Sequence, residues 1–184
     1  RRGHDARPAG TSVTVRHLFR SIPARRKFLR SVATEASRIQ MFVTRYALAY
    51  PEVRFRLTAD GSEGFASTGS GDLREVMLAV YGAEVANAMV ELAQDAGQDA
   101  GPVVTGMIST PSLTRSNRRH ISLFVNRRWV QSRPLVYALE QAYHGFLMER
   151  RYPLAVVNVA VPHDEVDVNV HPAKAEVRFR NENQ

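Results

Sequence analysis

An α+β fold, with helices packed in two layers on mixed sheets, is what the 184-residue sequence predicts. Three observations lead there. Runs that alternate apolar and polar residues recur along the chain, several stretches carry an apolar stripe at helical spacing, and no internal repeat relates them. A hydrophobic content of 44% is enough to build a core for one ordinary domain or two small ones.

The first ten residues, "RRGHDARPAG", lack apolar periodicity and read as loop, whereas "TSVTVRHLF" alternates with Val13 and Val15 on one side and reads as a strand. Pro23 is placed to open a short helix that Phe28 and Leu29 would anchor, with Arg25, Arg26 and Lys27 projecting. Ser31 can cap a longer helix that carries Glu35 in its first turn, and Ile39, Phe42, Val43, Tyr46 and Ala47 form its stripe before Pro51. Alternation on both sides of Asp60-Gly61 predicts a hairpin with Val53, Phe55 and Leu57 inward.

The small, polar "TGSGD" of residues 68–72 suits a boundary, dividing the chain into 1–70 and 71–184. Asp72 and Glu75 then open a helix with Leu73, Val76, Met77 and Val80 on its stripe and Gly82 at its end. A second short helix is expected through Leu92, followed by a loop, "AQDAGQDAG". Strands follow at "VVTGMIST" and "HISLFVN", and a helix is expected over 133–148 with Leu135, Leu139, Ala142, Tyr143 and Phe146 inward. "LAVVNVAVP" is apolar on nearly both faces, as a covered central strand is. Near the end, Val166, Val168 and Val170 share one side of an alternating run, and Ala173, Ala175, Val177 and Phe179 share one side of another. His171-Pro172 breaks the phase between them and predicts a tight corner or bulge, just before Lys174.

The chain carries no cysteine, which excludes disulfides and thiolate metal sites and fits a reducing compartment. Its histidines show no metal-ligand spacing, and no apolar stretch approaches membrane-spanning length. Without an initial methionine, it reads as a piece of a longer chain. Lys and Arg number 25 against 18 Asp and Glu, a net +7 that favours an anionic partner or serves solubility. Distribution sharpens this. No acid interrupts Val13 to Ala33, where Arg16, Arg20, Arg25, Arg26, Lys27 and Arg30 fall, nor Arg115 to Arg133. Such clusters are either solvated basic faces or phosphate-binding surfaces, and without a base-reading signature any binding is phosphate-directed and weakly sequence-selective.

"GTSVTVRHLFRSIPARRKFLR" (10–30), "FVNRRWV" (124–130) and "VDVNVHPAKAEVRF" (166–179) closely resemble the MutL family of DNA mismatch repair proteins. The three anchors are ordered and spread over nearly the whole chain. The resemblance implies the closing part of a GHKL-type ATPase domain over 1–70 and a transducer domain with a left-handed βαβ crossover over 71–184. It also implies that the family's catalytic glutamate, magnesium-binding asparagine, Asp-x-Gly-x-Gly and glycine-rich lid motifs lie upstream. The parent is then an ATPase using ATP and magnesium, while this piece alone is expected to bind neither and to be inactive.

Site residues follow from the same resemblance. Gly10 and Thr11 match the last ATP-site motif, and Lys174 of "HPAK" matches the lysine that reaches the γ-phosphate from the transducer domain. Spacing alone leaves Lys174 as a solvated neighbour of Glu176 and Arg178. For DNA, the resemblance implies Lys27, Arg30 and Arg133, with Arg127 and Arg128 as secondary contacts. Arg127 stands where many members of the family have glycine. Trp129 reads as a packed strand residue more readily than as a base-stacking group. The implied partners are DNA, a mismatch-recognition protein, a downstream nuclease or helicase and, in the intact protein, a second copy. No membrane is involved, and the implied setting is a bacterial cytoplasm, associated with the nucleoid. Two other readings stand beside this one: a basic structural or RNA-binding module, and a type II topoisomerase B-subunit ATPase fragment, against which the "HPAK" wording speaks.

Overall fold

The Ser31 hydroxyl accepts from the Thr34 N–H (3.3 Å), and Glu35 reaches back to the Arg30 N–H (2.9 Å). That exchange opens the longest helix, α2 (Val32–Ala49), as the sequence predicts. The structure is a computed structural model and describes residues 10–92, 102–167 and 178–179. Two compact units divide the chain, Arg1–Ser37 and Arg38–Gln184.

In the first unit a single helical turn, α1 (Pro23–Arg26), has Pro23 at its start. The expected strand around Val13 and Val15 is not formed, and both side chains are largely exposed (82% and 72%). The reason is that no strand lies beside this segment among the described residues of the unit, and an extended chain gains ladder hydrogen bonds only from a neighbour. Phe28 and Leu29 do not anchor α1 either, since both are exposed.

In the second unit β1 (Arg56–Ala59) and β2 (Ser62–Ala66) form the predicted hairpin around Asp60-Gly61, whose φ angles of 49° and 81° suit the tight turn. Ser67 extends it: its Oγ accepts from the Phe55 N–H and donates to the Val53 carbonyl. Phe55 and Leu57 pack toward the core, but Val53 is exposed. Only the end of the α2 stripe is covered, through Val43, Ala47 and Leu48. Ile39, Phe42 and Tyr46 face outward, and there Phe42 meets Tyr46 (4.9 Å) and Tyr46 meets Tyr50 (6.3 Å).

Helix α3 (Leu73–Tyr81) starts where Asp72 Oδ1 accepts from the Arg74 N–H (2.7 Å) and stops at Gly82, with Val76 and Met77 buried. Glu75 takes the Thr68 hydroxyl (2.7 Å) as its partner. The second short helix, α4 (Ala83–Asn87), ends before Leu92, because Met89–Glu91 is drawn into a strand, β3, by pairing with β4 (Val103–Ser109). The "AQDAGQDAG" loop and residues 1–9 lie outside the described residues.

The central sheet runs β3-β4-β9-β6-β7, with β6 (Ile121–Val125), β7 (Arg128–Val130) and β9 (Ala155–Ala160). β9 is antiparallel to β4 and parallel to β6, and the connection from β6 to β9 holds β7 and the helix α5 (Arg133–Ala142). A short pair, β5 (Thr114–Arg115) with β8 (Tyr152–Pro153), flanks it. Alternation along β6 and β9 distributes side chains to two cores. Phe124 and Val156 join Met107 against α2, α3, α4 and Phe65, while Leu123, Val125, Ala155 and Val157 meet Leu135, Val136 and Leu139 of α5. β9 is thus the covered central strand that its composition predicts.

The helix expected over 133–148 ends at Ala142. Tyr143 is buried and donates its hydroxyl to the Ser109 carbonyl, but Gly145 (φ 82°) turns the chain, leaving Phe146 exposed (70%); Ala142 is exposed too. At the end of the described chain, β10 (Val166–Asp167) pairs antiparallel with β11 (Arg178–Phe179). The two alternating runs therefore begin and end as a strand pair, while His171-Pro172 and Lys174 lie outside the described residues.

Candidate nucleic-acid interface

The residues predicted to touch nucleotide or DNA fall in three groups. In the first unit, Gly10 and Thr11 are exposed and outside regular structure. They offer one hydroxyl and glycine backbone, which do not by themselves make an ATP pocket. Among the described residues no three His, Asp or Glu side chains gather where a metal could sit. Lys27 follows α1 and Arg30 precedes α2; both are exposed, and among the described residues neither charged side chain is paired with a carboxylate. Arg20 and Arg26 line a neighbouring hollow of about 290 Å³ with His17 and Leu18.

In the second unit, Arg133 is the first residue of α5 and is exposed. Ser132 caps the helix by accepting from the Leu135 N–H, and the first turn holds no acid. A cation there opposes the helix dipole, so the position raises the positive potential already produced by the free N–H groups. Arg128 lies in β7 and has an interaction partner of its own.

Arg127 is engaged within the protein. It occupies the second of two left-handed positions in the β6–β7 turn, φ 48° at Asn126 and 64° at Arg127, a geometry that glycine adopts most easily. Its N–H donates to Asn158 Oδ1 (2.8 Å), its Nε to the Ala49 carbonyl (2.8 Å), and one terminal nitrogen to both Glu52 oxygens (2.6 Å), while the guanidinium lies over Tyr50 (4.4 Å). These bonds hold the Glu52 carboxyl below the usual carboxylate range, and they explain how arginine is kept where a turn favours glycine. The neighbouring Asn126 extends the β6–β9 ladder: its side-chain amide donates to the Val161 carbonyl (3.0 Å) and accepts from the Val161 N–H (2.9 Å). This places a structural role on the asparagine of "FVN".

Trp129 packs against the core, as expected of a strand residue, with the Arg45 guanidinium 3.8 Å above its ring. The sequence reading missed Arg45 altogether. Its only outward signal was an arginine amid the apolar stripe of α2.

A family described as "DNA mismatch repair protein, C-terminal domain" matches residues 77–184, more than half of the chain. The chain belongs to the MutL family of DNA mismatch repair proteins. It is 46% identical to the DNA mismatch repair protein MutL of Limosilactobacillus fermentum over 97% of its own length and 27% of that relative. Against the MutL of Halobacterium salinarum the identity is 47%, over 95% of this chain and 26% of the relative. The chain thus spans about a quarter of the length of the curated MutL relatives it matches. Among solved structures, the Aquifex aeolicus MutL ATPase domain complexed with ADP is 27% identical with a TM-score of 0.59, covering 80% of this chain and 51% of that one. The fold is shared as well with the N-terminal domain of a DNA repair protein, at a TM-score of 0.72 and 22% identity over 90% of this chain and 54% of the other. The mixed sheet with packed helices is accordingly the fold of MutL amino-terminal regions.

Proposed function

We propose that this MutL-family segment binds duplex DNA through phosphate contacts from Lys27, Arg30 and Arg133, and that in the whole protein it couples ATP binding to self-association and to recruitment of repair partners. The observation that carries the DNA reading is Arg133, an exposed cation at the N-terminal turn of α5 with no acid beside it. Arg128 is a secondary contact. Arg127 contributes least, because Glu52 already neutralises it. Phosphate-directed binding releases counterions, so the logarithm of affinity falls with the logarithm of salt by about 0.9 per phosphate neutralised. Arg133→Glu is expected to weaken duplex binding and to lower that slope by about one to two phosphate equivalents, read by fluorescence anisotropy at several salt concentrations. An unchanged slope defeats the assignment.

Lys174 belongs to the nucleotide half of the proposal. β10 and β11 pair in register at Val166–Phe179 and Asp167–Arg178, on either side of the stretch that carries Lys174. Gly10 and Thr11 would contact an ATP whose magnesium and catalytic groups come from elsewhere in the protein, and an ammonium at Lys174 would sense the charge of its terminal phosphate. In the intact protein Lys174→Ala is expected to reduce ATP-driven dimerisation while leaving the thermal melt unchanged. Normal dimerisation by light scattering would return Lys174 to a solvated role.

A further inference from the structure

Helix α5 carries a single acid, Glu140, and that carboxylate is already engaged. Arg118 donates to both of its oxygens, from Nε to Oε1 (2.5 Å) and from a terminal nitrogen to Oε2 (3.0 Å), while the guanidinium lies over the Tyr152 ring (4.7 Å). A two-pronged pair braced by an aromatic ring keeps its geometry better than a single exposed contact does. Glu140 stands seven residues after Arg133, just under two helical turns. The two therefore lie within about 20° of one line along α5 and about 10 Å apart along its axis. Through Glu140, the short turn Arg118–His120 is held against the flank of α5 that Arg133 opens.

Arg119 is the next residue of that turn. Its backbone is fixed from both sides, by Asn117, whose Oδ1 accepts the Arg119 N–H (3.1 Å), and by the Arg118–Glu140 pair. The side chain has no such tie: Arg119 is exposed, and among the described residues its guanidinium meets no carboxylate. Its neighbours are committed elsewhere, Arg118 to Glu140 and Arg115 to the Thr114 carbonyl (3.4 Å). The flank thus presents unspent cations at two places, Arg133 at the start of α5 and Arg119 beside Glu140 near its end, with the only acid of the helix neutralised. Phosphates of one DNA strand recur about every 3.4 Å along the duplex axis, so about 10 Å spans roughly three of them.

We propose that Arg119 is a further phosphate contact for duplex DNA, reaching the same duplex as Arg133 from the turn that Glu140 holds beside α5. Arg119 in that role depends on the reading of Arg133 as a DNA contact and enlarges it by one phosphate. A guanidinium suits the task because its fork meets two oxygens of one phosphate group. Contact of this kind adds affinity without reading sequence.

Binding of a fluorescent DNA duplex by the 184-residue chain, followed by anisotropy at several salt concentrations, tests this. Arg119→Gln is expected to weaken binding roughly three- to tenfold and to lower the slope of log affinity against log salt by about 0.9, one phosphate equivalent. Arg119→Lys keeps the charge and is expected to keep the slope. Combined with Arg133→Gln, the slope losses of Arg119→Gln add to about 1.8, because the two cations neutralise different phosphates. Arg56→Gln removes the same unit of charge from the β1–β2 hairpin, where Arg56 pairs with Glu63 (3.0 Å), and is expected to leave the slope unchanged. Circular dichroism and thermal melts check that each variant is folded. If Arg119→Gln binds like the unaltered chain while Arg133→Glu loses affinity, Arg119 is excluded and the reading of α5 stands. If neither variant alters the slope, both residues are excluded. An equal loss in Arg56→Gln reports net charge alone and overturns the assignment of Arg119.

Discussion

Gly106→Ala is expected to lower stability by about 3 kcal/mol or more, enough to remove a large part of the margin by which a domain of this size stays folded. Gly106 lies inside β4, one strand from the middle of the sheet, with φ at 135°. A Cβ there would stand 2.0 Å from the Val156 carbonyl oxygen and 3.0 Å from the Val157 Cα. Those atoms belong to β9, which is held on one side by β4 and on the other by β6, so the backbone has no direction in which to yield. The left-handed φ costs about 1–3 kcal/mol by itself, and the clash adds to it. Gly61, at φ 81° in the hairpin turn with nothing within 4 Å, is the control, because Gly61→Ala incurs the backbone term alone. Urea unfolding of both variants decides the matter, and equal losses would show that the close approach of β4 to β9 is unimportant.

Phe124→Ala is expected to cost about 3–5 kcal/mol, the range for emptying a buried aromatic position. Phe124 is 1% exposed, a member of β6 that packs into the core shared with Met77, Met107 and Val156. It also lines a cleft of about 560 Å³ with Leu48, Leu73 and Arg127, so its loss would enlarge a space that already exists. Phe124→Leu retains most of the volume and is expected to lose less than about 1.5 kcal/mol. The contrast between the two variants, measured by thermal and urea unfolding, isolates cavity formation from a general intolerance at the position. If both behave like the wild type, Phe124 does not hold the sheet against α2 and α3.

Helix starts and hairpin turns were legible in the residues because their causes are local. Ser31 with Glu35, Asp72 before α3 and Asp60-Gly61 each satisfy backbone groups within a few residues, and each appears where the sequence put it. Where contacts were non-local the reading faltered. Val13 and Val15 alternate as a strand does but lack a described neighbour, and the Phe146 position on the α5 stripe was cancelled by the turn at Gly145. The same holds for Leu92, where pairing with β4 replaced helix by strand in the residues just before it. Hydrophobic periodicity states which side chains would share a face and leaves open what, if anything, will cover that face.

The candidate site divides along the same line. The acid-free runs that contain Lys27, Arg30 and Arg133 are a property of composition and order, and the family anchors are a property of wording. Spacing could not tell that Arg127 closes on Glu52, or that Arg45 lies over Trp129 without a carboxylate, because those partners are remote in sequence and meet only when β7 and α2 reach the same core. Charge can be counted along a sequence. Whether a charge is neutralised depends on distance, and distance between remote residues exists only once the chain has folded.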